Sequence, residues 1–425
     1  MKANEVAKWS PADWKNKVAF LRPSGGGAVG VAFVWTGTIM SPLFDHKNLG
    51  YGNPGTCDFV LKPQKGNAAT TKLAEKMLTD VAKMGSPNSH PIARNSPCGR
   101  AIMELIYAAK NGPVTDWHGK VVTAQTAPDL KDEAEKRRDR WNQVFAEYNG
   151  ADYFLIQDAI SGQQEMGDVI RTQSGLRHIL RDKELITNLG KVFVADAVLG
   201  NGDRLCQLNT GNIMFSKGGK LWAIDSSTVL TGLEAMQKDF STMSWGADFQ
   251  GQKPDTVQWV NTIVNSPATQ TPRKADQPAF DKGQQPRLLP GFAMKTLFEP
   301  DRWWEETFKG HLNKTLTFET QECLKTNTPP PVPPRPHEWD NAKVWFKAGV
   351  EEALRTVDQK LSRFDWLSLK SKYKSYVAKY GGSDNVDWTN LKIRRMYIKA
   401  RSRGMSHELA LEAVQDYAKF KFPGV

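Results

Sequence analysis

Cysteine is scarce in this chain, and its spacing excludes two common roles of the residue. Of the 425 residues only four are cysteine, and no two of them form a CxxC pair. Because disulfide frameworks and structural zinc sites depend on closely and regularly spaced cysteines, we expect reduced thiols. The seven histidines contain no HExxH pattern, so a metalloprotease site of that type is not expected either.

Long apolar runs are also missing. No stretch of about 18 consecutive apolar residues occurs, and a transmembrane helix needs roughly that length. The segment from Met1 to Asn16 is polar and lacks the apolar core of a secretion signal. We therefore expect a cytoplasmic protein, and delivery into another cell by a specialised secretion system stays open because it would leave no readable mark.

The charge of the chain is uneven. The formal net charge is +11, and residues 367–403 alone contain ten Lys or Arg and two Asp. Such a stretch can attract an acidic protein or an anionic membrane, although a solvated helix face explains it equally well. Aromatic residues interleave with these charges at Tyr373, Tyr376, Tyr380, Trp388 and Tyr397. Since their spacing is also helical, core packing is the simpler explanation, and nucleic acid is an unlikely partner.

A proline run separates the C-terminal part from the rest. Residues 329–336 read PPPVPPRP, which predicts an extended linker over residues 329–337, because proline has no backbone N–H to give to a helix. The run could bind an SH3-type domain, but a plain spacer is the commoner use. Beyond it we expect a basic helical region, residues 338–425, with helices at about 338–363, 366–380 and 388–420.

The first part of the chain alternates strands with a few helices. Two strands joined by a glycine-rich turn are expected between Val18 and Trp35, and a third at Cys57–Lys62 that Pro63 ends. A helix is expected at Thr70–Met84, with Thr70 or Thr71 as its N-cap. Further expected elements are a helix at about Gly99–Lys110, a strand at Lys120–Ala124, a helix at Asp129–Tyr148 and a strand at Tyr153–Ile160.

The second part is mostly helical and contains one hairpin. Asp182–Leu199 is a strongly apolar helix, and two short strands, Ile213–Phe215 and Leu221–Ile224, are joined by a glycine-containing turn. We therefore predict an α+β fold. Residues 1–156 form a strand-rich lobe with a helical insertion, and residues 157–328 form a helical lobe.

The residues that carry chemistry follow the order that phosphoryl transfer needs. That reaction uses backbone donors over a triphosphate, a cation on the phosphates, oxygen ligands for a metal, and a group that orients the attacking hydroxyl. Ser24, Gly25, Gly26 and Gly27 lie in the turn between the first two strands, where glycine lets backbone N–H groups approach phosphate oxygens. Taken alone, this turn fits an ordinary hairpin equally well.

Lys62 is the candidate cation. It ends an apolar strand, and a lysine there needs a negative partner to offset its desolvation, which the phosphates of a nucleotide could supply. Glu75 on the next helix could orient Lys62, and Glu104 on the following helix is the alternative. Two surface charges are the alternative explanation of the same pattern.

Asp203, Asn212 and Asp225 form the strongest group. Asp203 lies on a loop after the apolar helix, Asn212 begins the hairpin, and Asp225 follows its second strand. The hairpin brings Asn212 and Asp225 side by side, where their oxygens could share a divalent metal ion. Asp203 could accept or orient the proton of an attacking hydroxyl.

These motifs resemble a known superfamily. GDR at 202–204, NIMF at 212–215 and AID at 223–225 resemble the catalytic core of phosphoinositide-kinase-like and atypical protein kinases, with a layout nearest to the actin-fragmin kinase type. FVLKP at 59–63 and SHPIARNS at 89–96 resemble the small lobe of the same superfamily, so the resemblance covers about residues 18–230.

The resemblance implies a two-lobed protein-kinase-like fold that binds ATP with Mg²⁺ or Mn²⁺, followed by an extra helical C-terminal region. It implies a catalytic role for Asp203, Lys62 and Glu75, metal binding by Asn212 and Asp225, phosphate binding by the glycine turn and Lys62, and an adenine-binding hinge at Gln157, Asp158 and Ala159.

The chain departs from the lipid kinases at three places. Leu205 replaces the histidine that follows the GDR arginine, and Ser226 replaces the phenylalanine after the second aspartate. The interval from Asp203 to Asn212 is longer than in those kinases, which makes Asn209 a rival metal ligand. We therefore expect a protein Ser/Thr kinase with an unidentified protein substrate. A lipid or small-molecule kinase and an inactive pseudokinase scaffold are the alternatives.

Overall fold

The structure is a computed structural model of the chain. It describes residues 2–23, 30–36, 57–64, 68–82, 89–113, 131–159, 164–170, 172–199, 204–205, 210–215, 220–224, 257, 260–261, 264, 294–310, 312, 323, 325–326, 332–360, 363–380 and 388–421. The predicted strand at Lys120–Ala124 lies outside these residues. None of the described helices is both long and apolar enough to cross a membrane.

The described part of the chain is α+β. Its strands are β1 (Phe20–Pro23), β2 (Ala32–Trp35), β3 (Phe59–Gln64), β4 (Ser89–Ala93), β5 (Tyr153–Asp158), β6 (Gln164–Glu165), β7 (Ile213–Phe215) and β8 (Leu221–Ala223). Its α-helices are α1 (Ala3–Val6), α2 (Pro11–Lys17), α3 (Ala68–Ala82), α4 (Pro97–Asn111), α5 (Lys131–Asn149), α6 (Met166–Val169), α7 (Gln173–Arg181), α8 (Lys183–Leu199), α9 (Pro300–Trp303), α10 (Pro336–Lys360), α11 (Arg363–Tyr380), α12 (Trp388–Ser402) and α13 (His407–Lys421). Short 3₁₀-helices span Thr210–Asn212 and Met294–Phe298, and a π-helix spans Trp304–Lys309.

The chain divides into two compact units whose limits differ from the predicted ones. The first unit comprises residues 1–69, 87–162 and 376–383, and the second comprises residues 70–86, 163–375 and 384–425. Most of α3 therefore belongs to the second unit, although we expected it in the strand-rich lobe. The C-terminal helices are not a separate region either, because α10 and α12 pack directly against α8 within the second unit.

The first unit is built on one antiparallel sheet in the order β1-β2-β3-β5-β4. Side chains alternate between its two faces. Phe59 and Leu61 of β3, with Phe154 and Ile156 of β5, point to the face that packs against α1, α2, α4 and α5, and all four are buried. We call this the helix-covered face. Burial of these apolar side chains is the main stabilising contribution to this unit.

β3 runs further than expected, through Pro63 to Gln64. The Gln64 carbonyl accepts a hydrogen bond from the Asp152 N–H (2.9 Å) next to β5. Because alternate residues of an antiparallel strand bond to opposite neighbours, the nitrogen of Pro63 faces β2, whose pairing with β3 already ends at Leu61. The missing N–H of Pro63 therefore interrupts no ladder, and the prediction that Pro63 ends the strand is wrong.

Two other features of the N-terminal part differ from the prediction. No element was predicted at β4, which contains Pro91 and is an edge strand of the sheet, where proline is tolerated. Helix α3 begins at Ala68 rather than after Thr70 or Thr71, and Thr71 is buried inside the helix. In contrast, β1, β2, α4, α5 and β5 lie where the sequence predicts them.

The second unit is organised around α8 and α10. Every residue of α8 from Val192 to Leu199 is buried. The two helices approach closely at glycines: a Cβ atom on Gly190 would lie 2.2 Å from the Phe346 carbonyl oxygen, so only glycine fits there. The Lys191 amino group also lies 2.9 Å from a carboxylate oxygen of Glu352.

Helix α10 begins within the predicted linker. Pro336 is its first residue, a position where the missing N–H costs nothing and the fixed φ of proline suits a helix. Glu338 in the first turn is only 3% exposed. It accepts hydrogen bonds from the Arg335 N–H (2.7 Å) and from Arg181 Nε of α7 (2.5 Å).

The last predicted helix, about 388–420, is in fact two helices. Gly404 lies between α12 and α13 with a φ of +86°, a left-handed conformation that ends α12. The sequence pattern on either side is helical, and the single glycine was not enough to reveal the break.

Candidate functional site

The hairpin β7–β8 places Asn212 beside the end of its second strand. Ile213 pairs with Ala223 and Phe215 with Leu221. Beyond the last pair, the Ile224 N–H donates to the Asn212 carbonyl over 3.0 Å. Asp225 is the next residue after Ile224. It lies outside the described residues, as do Asp203 and the rival ligand Asn209.

Arg204, the residue after Asp203, is fully buried. Its Nε lies 3.1 Å from each carboxylate oxygen of Asp196, and its Nη2 also donates to Asp196. Both side chains are 0% exposed. Since an unpaired charge in such a place would be strongly destabilising, each residue depends on the other.

The same guanidinium also bonds to the hairpin. Arg204 Nη1 donates to the Ile224 carbonyl over 2.9 Å. A continuous set of hydrogen bonds therefore runs from Asp196 on α8 through Arg204 and Ile224 to Asn212. It connects the neighbours of both expected aspartates within one unit of the protein.

In the first unit, Lys62 lies on the second face of the sheet. The pairs Val60–Gln157 and Lys62–Leu155 point away from the helix-covered face. Arg22 lies on the same side, because it pairs with Phe33, which in turn pairs with Val60. We call this the lysine face. Lys62 is 8% exposed and Arg22 is 2% exposed, so both cations are largely withdrawn from solvent.

An apolar cluster lies next to these cations. Phe33, Trp35 and Cys57 are buried together, and Val60 and Ala159 pack against them while remaining partly exposed. Burial raises the pKa of the Cys57 thiol to about 12, so the thiol is neutral and unreactive at physiological pH.

The expected hinge lies at the end of β5. Gln157 pairs with both Val60 and Ser89, and Ala159 is the first residue beyond the strand. The side chain of Asp158 points to the helix-covered face, where its Oδ1 accepts a hydrogen bond from the Ala3 N–H over 2.5 Å. The N-terminal helix α1 is therefore attached to this part of the chain. Ser24, Gly25, Gly26 and Gly27 lie outside the described residues.

Glu75 is buried on α3, and the Lys72 amino group donates to its Oε2 over 2.5 Å. The expected pairing of Glu75 with Lys62 stays a prediction. The alternative, Glu104, is 61% exposed and pairs with Lys15 over 2.6 Å. It belongs to α4, which covers the face of the sheet opposite Lys62, so it is on the wrong side to serve that lysine.

Sequence reasoning missed the role of Asp196 and Arg204. A signal was present, because Asp196 is the single charged residue in the apolar run VFVADAVL of α8. A carboxylate at such a position needs a buried cation, and Arg204 lies eight residues further on.

The described residues contain no group of three or more His, Cys, Asp or Glu side chains that could hold a metal ion. Of the two expected metal ligands, only Asp225 is one of these four residue types, and Asn212 would contribute an amide oxygen. Their oxygens fit Mg²⁺ or Mn²⁺, and the Ile224–Asn212 hydrogen bond brings the two chain segments together.

Comparison with known proteins adds no family assignment. No protein-family model matches this chain, and a search of curated proteins gives no significant match.

Proposed function

We propose that this chain is an ATP- and divalent-metal-dependent phosphotransferase with a kinase-like fold, and that it is an atypical protein kinase acting on Ser or Thr hydroxyls. The observation that carries the proposal is the hydrogen-bonded set of Arg204, Ile224 and Asn212. It supports the proposal because Arg204 and Ile224 are chain neighbours of Asp203 and Asp225, the two carboxylates that the reaction needs.

Each of these residues has a role in the proposed reaction. Asp203 orients the acceptor hydroxyl and takes its proton as the hydroxyl oxygen bonds to the γ-phosphorus and the bond to ADP breaks. Asn212 and Asp225 would hold the metal ion, which neutralises charge on the phosphates.

The lysine face of the first unit supports nucleotide binding. It carries Lys62, which would bind phosphate oxygens, and the partly exposed Val60 and Ala159, which would contact an apolar ring. Because the Asp158 side chain is bonded to Ala3, recognition of adenine at the hinge would fall to backbone groups. Glu75 would orient Lys62, and the glycine turn would cover the phosphates.

The basic C-terminal helices offer a place for an acidic partner or an anionic membrane. Lys372, Lys374 and Lys379 of α11 are exposed, while Tyr373 between them is buried. The aromatic residues of this region therefore contribute to packing, as Tyr373 does against Trp388 with ring centroids 5.5 Å apart. In the proline run, Val332 is 61% exposed, which suits an SH3-type partner or a spacer.

Transfer of label from γ-labelled ATP with Mg²⁺ tests the proposal. Wild type would be compared with Asp225→Ala, and with Asp80→Ala as a control that removes an exposed carboxylate of α3 paired with Lys76. The acceptors are the protein itself, a cell lysate and anionic vesicles. We expect label on a protein band with wild type and Asp80→Ala but not with Asp225→Ala.

Two other outcomes would contradict the protein-kinase proposal. Label in lipid alone would identify a lipid kinase, and its loss at high salt would implicate the basic helices. Absence of label and of ATP consumption above the Asp225→Ala background would favour a pseudokinase scaffold over an enzyme.

A further inference from the structure

The Arg204 guanidinium connects the buried carboxylate of Asp196 to the backbone of the hairpin at Ile224. Three nitrogens of Arg204 donate hydrogen bonds: Nε and Nη2 to Asp196, and Nη1 to the Ile224 carbonyl. A guanidinium holds its donors in a fixed plane, so the position of Asp196 determines where the Ile224 carbonyl can lie.

The anchored residues lie next to the reacting ones. Arg204 directly follows Asp203, and Ile224 directly precedes Asp225. Consecutive Cα atoms are about 3.8 Å apart, so Arg204 and Ile224 are each one peptide unit away from an aspartate along the chain. Helix α8, which carries Asp196, is a rigid base for these contacts because its last two turns are fully buried.

We propose that Arg204 is a positioning residue that sets the distance between the catalytic-loop aspartate and the metal-binding end of the hairpin, with Asp196 holding its guanidinium in place. The inference rests on the proposed function and adds a residue to it. Arg204 touches neither substrate nor metal in this scheme. It acts through the Ile224 carbonyl and the Asn212–Ile224 hydrogen bond.

A matched control separates positioning from simple stabilisation. Arg394 of α12 is also a buried arginine, 7% exposed, and its Nη1 donates to the Ala197 carbonyl of α8 over 2.9 Å. The same nitrogen also lies 3.6 Å from the sulfur of Met294. Replacing Arg394 removes a hydrogen bond to α8 and leaves the hydrogen bond from Arg204 to Ile224 intact.

The experiment compares Arg204→Lys, Asp196→Asn and Arg394→Gln with wild type in the full chain. Lysine can keep an ionic contact with Asp196 but lacks the fork that reaches Ile224. The readouts are the melting temperature and the affinity for Mn²⁺ with a non-hydrolysable ATP analogue, measured by electron paramagnetic resonance. Transfer of phosphate is measured beside them.

We expect Arg204→Lys to lower the Mn²⁺ affinity by about 10–100-fold, the range found when a residue that supports a metal ligand is lost. Arg394→Gln should lose a similar amount of thermal stability and keep its affinity. If Arg204→Lys does not fold, Asp196→Asn serves instead, since it keeps an acceptor for Arg204 and should weaken affinity in the same direction.

Two negative results have different meanings. Equal Mn²⁺ affinity in Arg204→Lys and Arg394→Gln, at matched losses of melting temperature, would overturn the positioning role and leave the kinase proposal intact. Failure of wild type to bind Mn²⁺ with the nucleotide would overturn the kinase proposal and this inference with it.

Discussion

Gly349 of α10 lies so close to Thr187 of α8 that a Cβ atom on Gly349 would fall 1.9 Å from the Thr187 carbonyl oxygen. The Thr187 oxygen cannot move away cheaply, because it belongs to the backbone of α8. The close spacing of α8 and α10 therefore requires glycine at position 349.

Gly349→Ala should therefore destabilise the second unit. Forcing a methyl group into a closely packed site typically costs about 1–3 kcal/mol and occasionally more. The control is Gly310→Ala, since a Cβ atom there would meet only the Glu305 carbonyl oxygen at 4.0 Å. Thermal unfolding of both variants checks the prediction, and equal melting temperatures would contradict it.

Glu338 should make the stability of the protein depend on acid pH. Burial alone would raise the pKa of its carboxyl, but the hydrogen bonds from the Arg335 N–H and the Arg181 guanidinium outweigh burial and lower it. A lowered pKa in the folded state means that Glu338 stabilises the fold above its ordinary pKa of 4.5 and loses this contribution as pH falls through the folded value.

Glu338→Gln should therefore unfold more easily than wild type at neutral pH. The difference in free energy of unfolding should shrink as pH falls below about 4.5, because wild type then loses the same charge. Glu351→Gln on the exposed side of the same helix is the control and should match wild type throughout. A difference that stays constant with pH would show that charge is not the cause.

Substitutions can show whether Glu75 orients Lys62 or Lys72. The Lys72 amino group donates to Glu75 over 2.5 Å, whereas the proposed function assigns Glu75 to Lys62. We expect Lys62→Met and Glu75→Gln each to reduce phosphate transfer by at least about tenfold, and Lys72→Met to leave it near wild type. Loss of transfer in Lys72→Met and Glu75→Gln with normal transfer in Lys62→Met would reverse the assignment.

Gly404 should tolerate asparagine better than alanine. A Cβ atom there meets no atom within 4 Å, so only the backbone conformation with φ of +86° penalises a side chain. For an ordinary L-residue that penalty is about 1–2 kcal/mol, and asparagine enters this region more readily. Chemical denaturation of Gly404→Ala and Gly404→Asn would measure both values, and an undiminished stability in Gly404→Ala would refute the explanation.

The sequence predicts the hairpin β7–β8 and helix α8 well because both depend on local patterns. Alternation, a glycine turn and an unbroken apolar run suffice for them. The sequence does not predict β4, because a proline in a strand is acceptable only at an edge, and the edge is a property of the whole sheet.

Some features of the candidate site can likewise be predicted from the sequence, and others cannot. The order of Lys62, Asp203, Asn212 and Asp225 can be read from motifs, and the placement of Asn212 beside Ile224 agrees with it. The contact of Arg204 with the Ile224 carbonyl could not be foreseen, because it joins two segments through a buried side chain whose partner, Asp196, lies on a third.

The contact of Tyr380 with the sheet has a consequence for synthesis of the protein. Tyr380, at the end of α11, packs against Ala68, Tyr153 and Leu155 of the first unit. Tyr380 emerges from the ribosome about 225 residues after Leu155, which at roughly 5–20 residues per second is a delay of about 10–45 s. During that time the nascent chain lacks the Tyr380 ring that packs on Tyr153 and Leu155. We therefore expect a chaperone that binds exposed apolar surface to bind the nascent chain in this interval.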